Sequence, residues 1–325
     1  MPEELDIGML PSALVTGGAG FIGSELVSQL VAAGWRVTVI DNLATGRWEN
    51  LDGLDGVERL TQDIRDLPEL PDCSVVFHLA CLGVRHSIRA PRETHEVNAT
   101  GTLAVLEAAR SAGVQRFVYV SSSDVYGSAQ CVPMTEQHPT FPSTAYGASK
   151  LAGEAYARAY NLSYGLPTVV VRPFNTYGPR CHHEGDSGEV IPKFLLRAQA
   201  GCPLVIFGDG EQTRDFTYVS DTAQGILQAG ICADAVGRTF NLGSGREVSI
   251  NTLARLAKGV RIVHEPSRPG DITRLVADAT LARELLGFES RVKLEDGLER
   301  LRAWYRSRGV PAEKLLQEEV VHNWR

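Results

Sequence analysis

Two groups of residues in this chain have types and spacings that suit them to chemistry. The first is the segment Thr16-Gly-Gly-Ala-Gly-Phe-Ile-Gly23, which lies between a short apolar run and an amphipathic one. Glycines at 17, 20 and 23 permit a tight turn and let the backbone approach a pyrophosphate at the start of a helix, where amide groups are unpaired. Such glycines can also do no more than shape a turn, so the neighbouring residues decide whether the segment is a dinucleotide site.

An acidic residue completes this first group. Asp41 ends the β-branched run from Trp35 to Ile40, and a carboxylate at the end of that strand can accept hydrogen bonds from both hydroxyls of an adenosine ribose. The same negative charge repels a 2′-phosphate. The pattern therefore predicts a dinucleotide site that favours NAD over NADP.

The second group is Tyr146-Gly-Ala-Ser-Lys150, in which a phenol and an ammonium lie on one face at a predicted helix start. A phenol is a poor base at neutral pH, but the charge of a neighbouring lysine and of an oxidised nicotinamide favours its phenolate. Ser121-Ser122-Ser123 follows another predicted strand and can supply a hydroxyl. Alone, such a pair is more typical of a packed tyrosine and a solvated lysine than of a catalytic site. The dinucleotide segment that precedes it favours the catalytic interpretation.

These groups need a framework of alternating strands and helices to position them. Strand-like runs at 14–16, 35–40, 74–79, 117–120 and 168–171 alternate with helical patterns at 24–33, 97–112 and 146–164. Apolar strands separated by helices indicate a parallel, doubly wound sheet of the Rossmann type, an α/β fold that binds ligands at the carboxyl ends of its strands. We expect residues 1–174 to form the NAD-binding domain, part of 215–242 to return to it, and 175–325 to form mainly a smaller C-terminal substrate-binding lobe.

Composition restricts the classes of function. The net charge of -7 argues against a nucleic-acid surface, and no apolar run approaches the roughly 18 residues of a membrane span. The first residues are acidic, where a signal peptide is basic, and the six cysteines are widely spaced without a C-x-x-C pair. We expect a cytoplasmic protein that binds neither nucleic acid nor membrane. Cys181-His182-His183 lacks a second spaced ligand pair, so we also expect no metal.

Further motifs occur in order along the chain: Asp41-Asn42-Leu-Ala-Thr-Gly46, Asp63-Ile64, His78-Leu79-Ala80, Asn98, Ser121-Ser-Ser-Asp-Val-Tyr-Gly127 and Arg172-Pro-Phe-Asn175. With the glycine segment and the Tyr146/Lys150 pair, the set resembles the extended short-chain dehydrogenase/reductase family over about residues 12–306. Within that family the chain is similar to the nucleotide-sugar epimerases and dehydratases.

The resemblance implies a role for each matching position. Ser122, Tyr146, Lys150 and Asp124 are the implied catalytic residues, with Tyr146 as the base and Lys150 as its electrostatic partner and ribose ligand. The implied NAD-binding residues are Gly17, Gly20, Phe21, Ile22, Gly23, Asp41, Asn42, Gly46, Asp63, Ile64, Leu79, Ala80, Asn98, Tyr146 and Lys150. The implied ligands of a nucleotide-diphosphate sugar are Arg85, Ser87, Asn175, Val190, Arg214, Arg268 and Arg274.

The resemblance also implies a homodimer. Relatives pair through two long helices, and here the helix that starts near Tyr146 carries Leu151, Ala155 and Ala159, which are apolar or small enough for close helix packing. The alternative is that this face is buried within one chain.

In this family, hydride leaves sugar C4 for NAD while the tyrosine takes the 4-hydroxyl proton, and the resulting 4-keto sugar has three fates. The segment Leu82-Gly-Val-Arg-His-Ser87 is similar to the substrate loop of 4-epimerases, which favours a 4-epimerase of UDP-hexose or UDP-N-acetylhexosamine. Asp124 argues against a 4-epimerase, because dehydratases and decarboxylases of this family usually carry an acid at this position, mostly Glu. Three alternatives stay open. One is a UDP-glucuronate decarboxylase, in which Arg274 or Arg180 would bind the substrate carboxylate. The others are an NDP-sugar 4,6-dehydratase and a non-enzymatic NAD-binding sensor or scaffold.

Overall fold

A computed structural model describes residues 11–67, 69–185, 187–258, 261–268 and 271–322, so the acidic start of the chain lies outside the described residues. In these residues the strands are β1 Ser12–Thr16, β2 Arg36–Asp41, β3 Val57–Thr61, β4 Val75–His78, β5 Arg116–Val120, β6 Thr168–Pro173, β7 Thr176–Tyr177, β8 Leu204–Phe207, β9 Thr213–Arg214, β10 Thr217–Tyr218, β11 Thr239–Leu242, β12 Val248–Ser249 and β13 Ile262–Glu265. The α-helices are α1 Phe21–Ala32, α2 Val84–Arg89, α3 Pro91–His95, α4 Thr102–Ala112, α5 Ala145–Tyr164, α6 Val190–Gln199, α7 Val219–Ile231, α8 Ile250–Leu256, α9 Thr280–Leu286, α10 Leu294–Ser307 and α11 Ala312–Leu315.

The main sheet has the order β11-β6-β5-β4-β1-β2-β3, and all its neighbouring strands are parallel. This arrangement confirms the predicted Rossmann-type fold. Val15 on β1 and Phe77 on β4 point to the side covered by α1 and α7, whereas Leu14 and Val76 point to the side covered by α4 and α5. Alternate residues of these inner strands are thus buried on opposite faces, as the apolar runs require.

The ends of two helices explain how the chain enters and leaves the site. Helix α5 starts where the Thr144 hydroxyl accepts a hydrogen bond from the Gly147 amide (3.1 Å), and it ends at Gly165 with φ of 70°. The helix predicted from Val97 has an irregular first part, because Glu96–Gly101 is a π-helical turn and α4 begins only after it. Such turns often occur beside functional sites.

The second half of the chain contributes to both layers. Helices α6, α8 and α10 surround a separate apolar core that includes Leu195, Leu253 and Leu301. In contrast, α7 and β11 belong to the core of the main sheet, and so does α9, whose Ala282 and Leu286 are buried there. The return of α9 to the sheet was not foreseen. Across the part of the chain that the structure describes, no helix is both long and apolar enough to cross a bilayer.

Candidate active site

A cavity of about 470 Å³ lies at the carboxyl ends of the central strands and extends under the second lobe. It brings together most of the predicted site residues, although they are far apart in the sequence. Its wall includes Gly17, Gly20, Phe21, Ile22, Gly23, Asp41, Asn42, Ile64, Leu79, Ala80, Arg85, Ser122, Asp124, Tyr146, Lys150, Asn175, Val190, Arg214 and Arg268.

The glycine segment packs closely against neighbouring backbone. Gly17 has φ of 71°, and a Cβ there would lie 2.7 Å from the Ala80 amide nitrogen. A Cβ on Gly23 would collide with the carbonyl oxygen of Gly17, so glycine is needed at both positions. Helix α1 begins directly after Gly20, and no side chain caps its first amides. These features fit the pyrophosphate of a dinucleotide.

Asp41 is held in place by the backbone. Its Oδ2 accepts from the Ala19 amide (3.0 Å) and its Oδ1 from the Leu43 amide (2.8 Å). Burial raises the pKa of the Asp41 carboxyl, and these two hydrogen bonds oppose that effect. Gly46 does not line the cavity; a Cβ there would lie 2.8 Å from Asp41 Oδ2, so its role is to leave room for the carboxylate.

Two of the expected cofactor residues lie behind the cavity wall rather than in it. Asp63 accepts hydrogen bonds from Arg65 and from Asn42 Nδ2 (2.9 Å), and the Arg65 guanidinium holds the pKa of the Asp63 carboxyl well below its usual range. Asn98 accepts from the Leu82 amide (2.8 Å) and donates to the Leu82 carbonyl (3.0 Å). Both side chains therefore position loops whose neighbouring residues, Ile64 and Leu82, line the cavity.

A buried histidine, His78 of the His78-Leu79-Ala80 motif, braces the glycine segment, a role that the motif itself does not indicate. His78 Nδ1 lies 2.7 Å from Thr16 Oγ1, and His78 Nε2 lies 2.9 Å from Thr102 Oγ1. Thr102 Oγ1 donates to the Asn98 carbonyl (2.6 Å), so it accepts from Nε2–H of the imidazole, and Thr16 donates to Nδ1. Burial lowers the pKa of His78 to about 3, and the ring is therefore neutral.

The three expected proton-transfer residues meet at one place. Tyr146 and Lys150 lie one turn apart near the start of α5, and Ser122 follows β5. The Ser122 hydroxyl hydrogen-bonds the Tyr146 phenol and also accepts from the Asp124 amide (3.1 Å). The buried Lys150 ammonium donates to the Val120 carbonyl at the end of β5 (2.9 Å), which fixes its charge beside the site.

The protein's own groups keep Tyr146 protonated. Burial raises the pKa of this phenol well above its usual range, and nearby Cys81 and Asp124 raise it further, whereas the hydrogen bond with Ser122 lowers it. Desolvation disfavours the charged phenolate, and it outweighs the groups of the protein that favour it. Further positive charge at the site would shift the balance towards a base.

The cavity wall also contains three neighbouring arginines, Arg85, Arg214 and Arg268, of which Arg214 and Arg85 act on Asp124. Arg214 donates to Asp271 (3.0 Å), and Arg268 lies 3.7 Å from the same carboxylate. Arg85 has no ion-pair partner within the described ranges, and burial together with the charge of Arg268 lowers its pKa to about 10. Burial raises the pKa of the Asp124 carboxyl, whereas Arg214 and Arg85 lower it. The three guanidiniums suit the bidentate binding of a diphosphate.

Three other expected residues lie outside the cavity. Ser87 is buried and donates to the Val84 carbonyl (2.7 Å). Arg274 forms a bidentate pair with Glu247 on the surface, and Arg180 pairs with Glu25 (2.7 Å). The two cations expected for a uronate carboxylate are thus occupied by other acids, whereas Arg214 and Arg85 line the cavity near Asp124.

A buried polar network behind the site was not predicted. Glu154 on α5 accepts from Ser121 Oγ (2.6 Å) and forms an ion pair with Arg172 on β6 (2.6 Å). Arg172 also donates to the Tyr126 hydroxyl (2.7 Å), which donates in turn to Asn241 on β11 (2.7 Å). The Arg172-Pro-Phe-Asn175 motif was the available signal, but it did not reveal the partners.

Comparisons with known proteins agree with this geometry. Residues 13–243 match the model of the NAD dependent epimerase/dehydratase family. UDP-glucose 4-epimerase of Mycolicibacterium smegmatis is 39% identical over 310 residues, which cover 91% of this chain and 98% of that protein. UDP-glucuronic acid decarboxylase 1 of Arabidopsis thaliana is 36% identical over 308 residues, which cover 91% of this chain and 70% of that protein.

Two solved structures have the same fold. UDP-glucose 4-epimerase of Thermotoga maritima, solved with UDP-glucose, has a TM-score of 0.87 and 34% identity, and the match covers 92% of this chain and 100% of that one. A dTDP-glucose 4,6-dehydratase of Streptomyces venezuelae, solved with NAD bound, has a TM-score of 0.85 and 33% identity, covering 92% and 98%.

Proposed function

The chain belongs to the NAD-dependent epimerase/dehydratase family, and from that premise we propose that it is a nucleotide-sugar 4-epimerase acting on a UDP-hexose or a UDP-N-acetylhexosamine. One observation carries the proposal: Ser122, Tyr146 and Lys150 line the same cavity as the glycine segment and the arginines 85, 214 and 268. A proton-transfer site thus lies between a dinucleotide cradle and a cluster that suits a diphosphate.

The residues present fit NAD, the cofactor of this family. The glycines at 17 and 23 allow the tight turn and close backbone packing that precede α1. The first amides of α1 suit the pyrophosphate, and Asp41 suits the adenosine ribose. Lys150 lies where it can bind the second ribose. When bound, NAD supplies the hydride acceptor at sugar C4 and the positive charge that the phenol lacks.

Tyr146 is the group that moves the proton. Its hydroxyl lies beside Ser122 at the end of β5, so a sugar 4-hydroxyl bound between them can pass its proton to the phenolate oxygen. Ser122 orients the 4-hydroxyl, and the charge of Lys150 stabilises the phenolate. Once C4 is reduced again, Tyr146 would give the proton back to the sugar oxygen, so the protein would end each turnover unchanged.

Arg85, Arg214 and Arg268 hold the diphosphate, which leaves the hexose as the part that can turn. An epimerase must present both faces of the 4-keto sugar to the same hydride donor. Anchoring the substrate through its phosphates allows this, because rotation about the bonds to the diphosphate reverses the sugar without releasing the nucleotide.

A UDP-glucuronate decarboxylase is the second candidate. It is favoured by the buried Asp124 carboxyl in the cavity wall, whose pKa burial raises, and by the nearby Arg85 guanidinium, which suits a substrate carboxylate. The Arabidopsis thaliana relative has that name. In this reading Asp124 assists the loss of carbon dioxide from the 4-keto uronate.

We propose that the protein is a homodimer that pairs through α5. Ala155 and Ala159 are exposed and lie one turn apart, and the Leu162 side chain is 79% exposed. Leu151 instead packs within its own chain, against the cluster around Val125. Small exposed residues on one helix face permit close packing against a second copy.

The six cysteines are free thiols, which supports our proposal of a cytoplasmic location.

The test is to incubate the enzyme separately with UDP-glucose, UDP-N-acetylglucosamine, UDP-glucuronate and dTDP-glucose, and to measure product masses and C4 stereochemistry. We expect an unchanged mass and an inverted C4 centre, with no net consumption of NADH. Loss of about 44 Da identifies a decarboxylase and loss of about 18 Da a dehydratase. The Tyr146→Phe variant is the control: it should bind NAD normally and lose turnover by orders of magnitude.

A further inference from the structure

Residues 316–322, here called the C-terminal strap, are bound to the second lobe at four places. The Glu318 carbonyl accepts from the Gly185 amide (2.8 Å), and the Val320 carbonyl accepts from Lys193 Nζ (2.8 Å). The Glu319 carboxylate accepts from Arg197 (both oxygens 3.0 Å from Nε), and His322 lies 2.7 Å from Glu265. Contacts to three different segments, the loop at Gly185, helix α6 and strand β13, hold this short stretch in one position.

Two residues of the strap reach the cavity described above. Glu319 and Val321 are part of its wall, together with Lys193 and Arg197 on α6. The Glu319 side chain is 7% exposed and the Arg197 side chain 14% exposed, so their ion pair is largely withdrawn from solvent. Sequence reasoning assigned no role to any of these four residues.

A series of contacts shows which part of a substrate the strap would meet. Asp124 lies beside the proton-transfer site, and the charges of Arg214 and Arg85 act on it. Arg214 and Arg268 share Asp271, and the Arg268 guanidinium lies 5.3 Å from the centroid of the Phe207 ring. The Phe207 ring lies in turn 5.8 Å from the His322 ring of the strap. With the sugar at Asp124 and the diphosphate at the arginines, the nucleoside comes next.

The surroundings of the strap suit a nucleoside. Val205, Phe207 and Val321 offer apolar surface to the faces of a base, and Glu319, Arg197 and Gln212 offer acceptors and donors to its edge and to the ribose. Lys193 adds an ammonium held by the strap; burial and the neighbouring Arg85 and Arg268 lower its pKa to about 8, although Glu319 opposes them. A bound diphosphate favours its charged form.

We propose that the C-terminal strap forms the outer wall of the nucleoside subsite, and that Glu319 and Val321 determine how tightly the nucleoside part of the substrate is held. This inference rests on the proposed function, since it takes the substrate to be a nucleotide sugar. The contacts of the strap run to Gly185, α6, Phe207 and Glu265 and not through the proton-transfer residues, so we assign its contribution to binding and not to the chemical step.

The experiment compares the full chain with a chain that ends at Glu318 and with the Glu319→Ala variant. Ending at Glu318 keeps the buried Leu315 and the Gly185–Glu318 hydrogen bond. Binding of UDP and of NAD is measured separately by titration calorimetry. We expect both variants to bind UDP about tenfold more weakly or worse, and to bind NAD as the full chain does. KM for the nucleotide sugar should rise while kcat stays within about twofold.

Glu318→Ala is the matched control, because Glu318 is an exposed neighbouring carboxylate outside the cavity; it should bind UDP normally. The proposed role of the strap is overturned if both variants bind UDP as tightly as the full chain does. It is also overturned if their NAD binding is weakened as much as their UDP binding. If the full chain binds NAD but not UDP, the proposed function fails instead. Because Glu319→Ala removes only one side chain, it keeps the inference testable should the shortened chain misfold.

Discussion

At the scale of single residues, catalysis depends on the groups that set the proton affinity of Tyr146. The phenol is buried, and the negative charge of Asp124 raises its pKa further, while Ser122 acts in the opposite direction. The Lys150 ammonium is anchored on the Val120 carbonyl, so it cannot follow the phenolate as a flexible lysine would. The base is therefore tuned by opposing fixed charges, and removing one of them should displace the pH profile.

We predict that Asp124→Asn shifts the rise of kcat/KM with pH to lower pH, by about one unit. Tyr146 must be deprotonated to act as a base, so activity rises as pH increases through its pKa. Loss of the Asp124 charge lowers that pKa, and the rise occurs earlier. Full pH–rate profiles measure the shift. Asp209→Asn, an exposed carboxylate on a different loop, should leave the profile unchanged; a shift of the Asp124→Asn profile to higher pH would contradict the prediction.

At the scale of elements, helix α5 is attached to the sheet through the buried pair of Glu154 and Arg172. The Glu154 side chain is fully buried and the Arg172 side chain is 4% exposed. Arg172 also holds Tyr126, and Glu154 holds Ser121, so the pair connects α5 and β6 to the loop that presents Ser122. A buried guanidinium without its acid is costly, because its charge has neither water nor partner.

Replacement of Glu154 by Gln should therefore lower the free energy of unfolding by about 3 kcal/mol or more, as measured by chemical denaturation. Asp72→Asn serves as the comparison, because it breaks the Arg36–Asp72 pair, whose side chains are 54% and 82% exposed. That change should cost less than about 1 kcal/mol, since solvent screens exposed pairs. Equal effects of the two substitutions would mean that the buried pair does not hold α5 in place.

At the scale of the whole molecule, an exposed apolar stripe on α5 remains after both layers of the fold are complete. Ala155, Ala159 and Leu162 lie on it, and none of them belongs to a core cluster within the described ranges. Since this helix also carries Tyr146 and Lys150, a partner that packs on the stripe would stabilise the helix that bears the base.

We predict that Ala159→Glu converts the proposed dimer to a monomer at micromolar concentration, because each copy would bring a carboxylate into a close helix contact. Sedimentation velocity measures the change. Ala303→Glu supplies the matched control, as Ala303 is likewise an exposed alanine in a helix, but on α10 in the second lobe. A native protein that already sediments as a monomer at this concentration would rule out the proposed interface.

Local sequence was sufficient to predict the alternation of strands and helices, the glycine segment at the start of α1, Asp41 at the end of β2, and the Tyr146/Lys150 pair. These features depend on periodicity and on spacings of a few residues, which the chain contains locally. The parallel Rossmann-type sheet follows from the same patterns and is confirmed, and NAD as the cofactor is confirmed by the family.

The tertiary structure decided which distant residues meet. Arg85 reaches the cavity, whereas Arg274 and Arg180 are taken by Glu247 and Glu25, and no local pattern distinguishes an arginine with a nearby acid from one without. The raised pKa of Tyr146 likewise arises from burial and from Asp124, and the strap reaches the cavity through partners more than a hundred residues away. Desolvation and charge pairing depend on three-dimensional proximity, so they emerge only when the chain has folded.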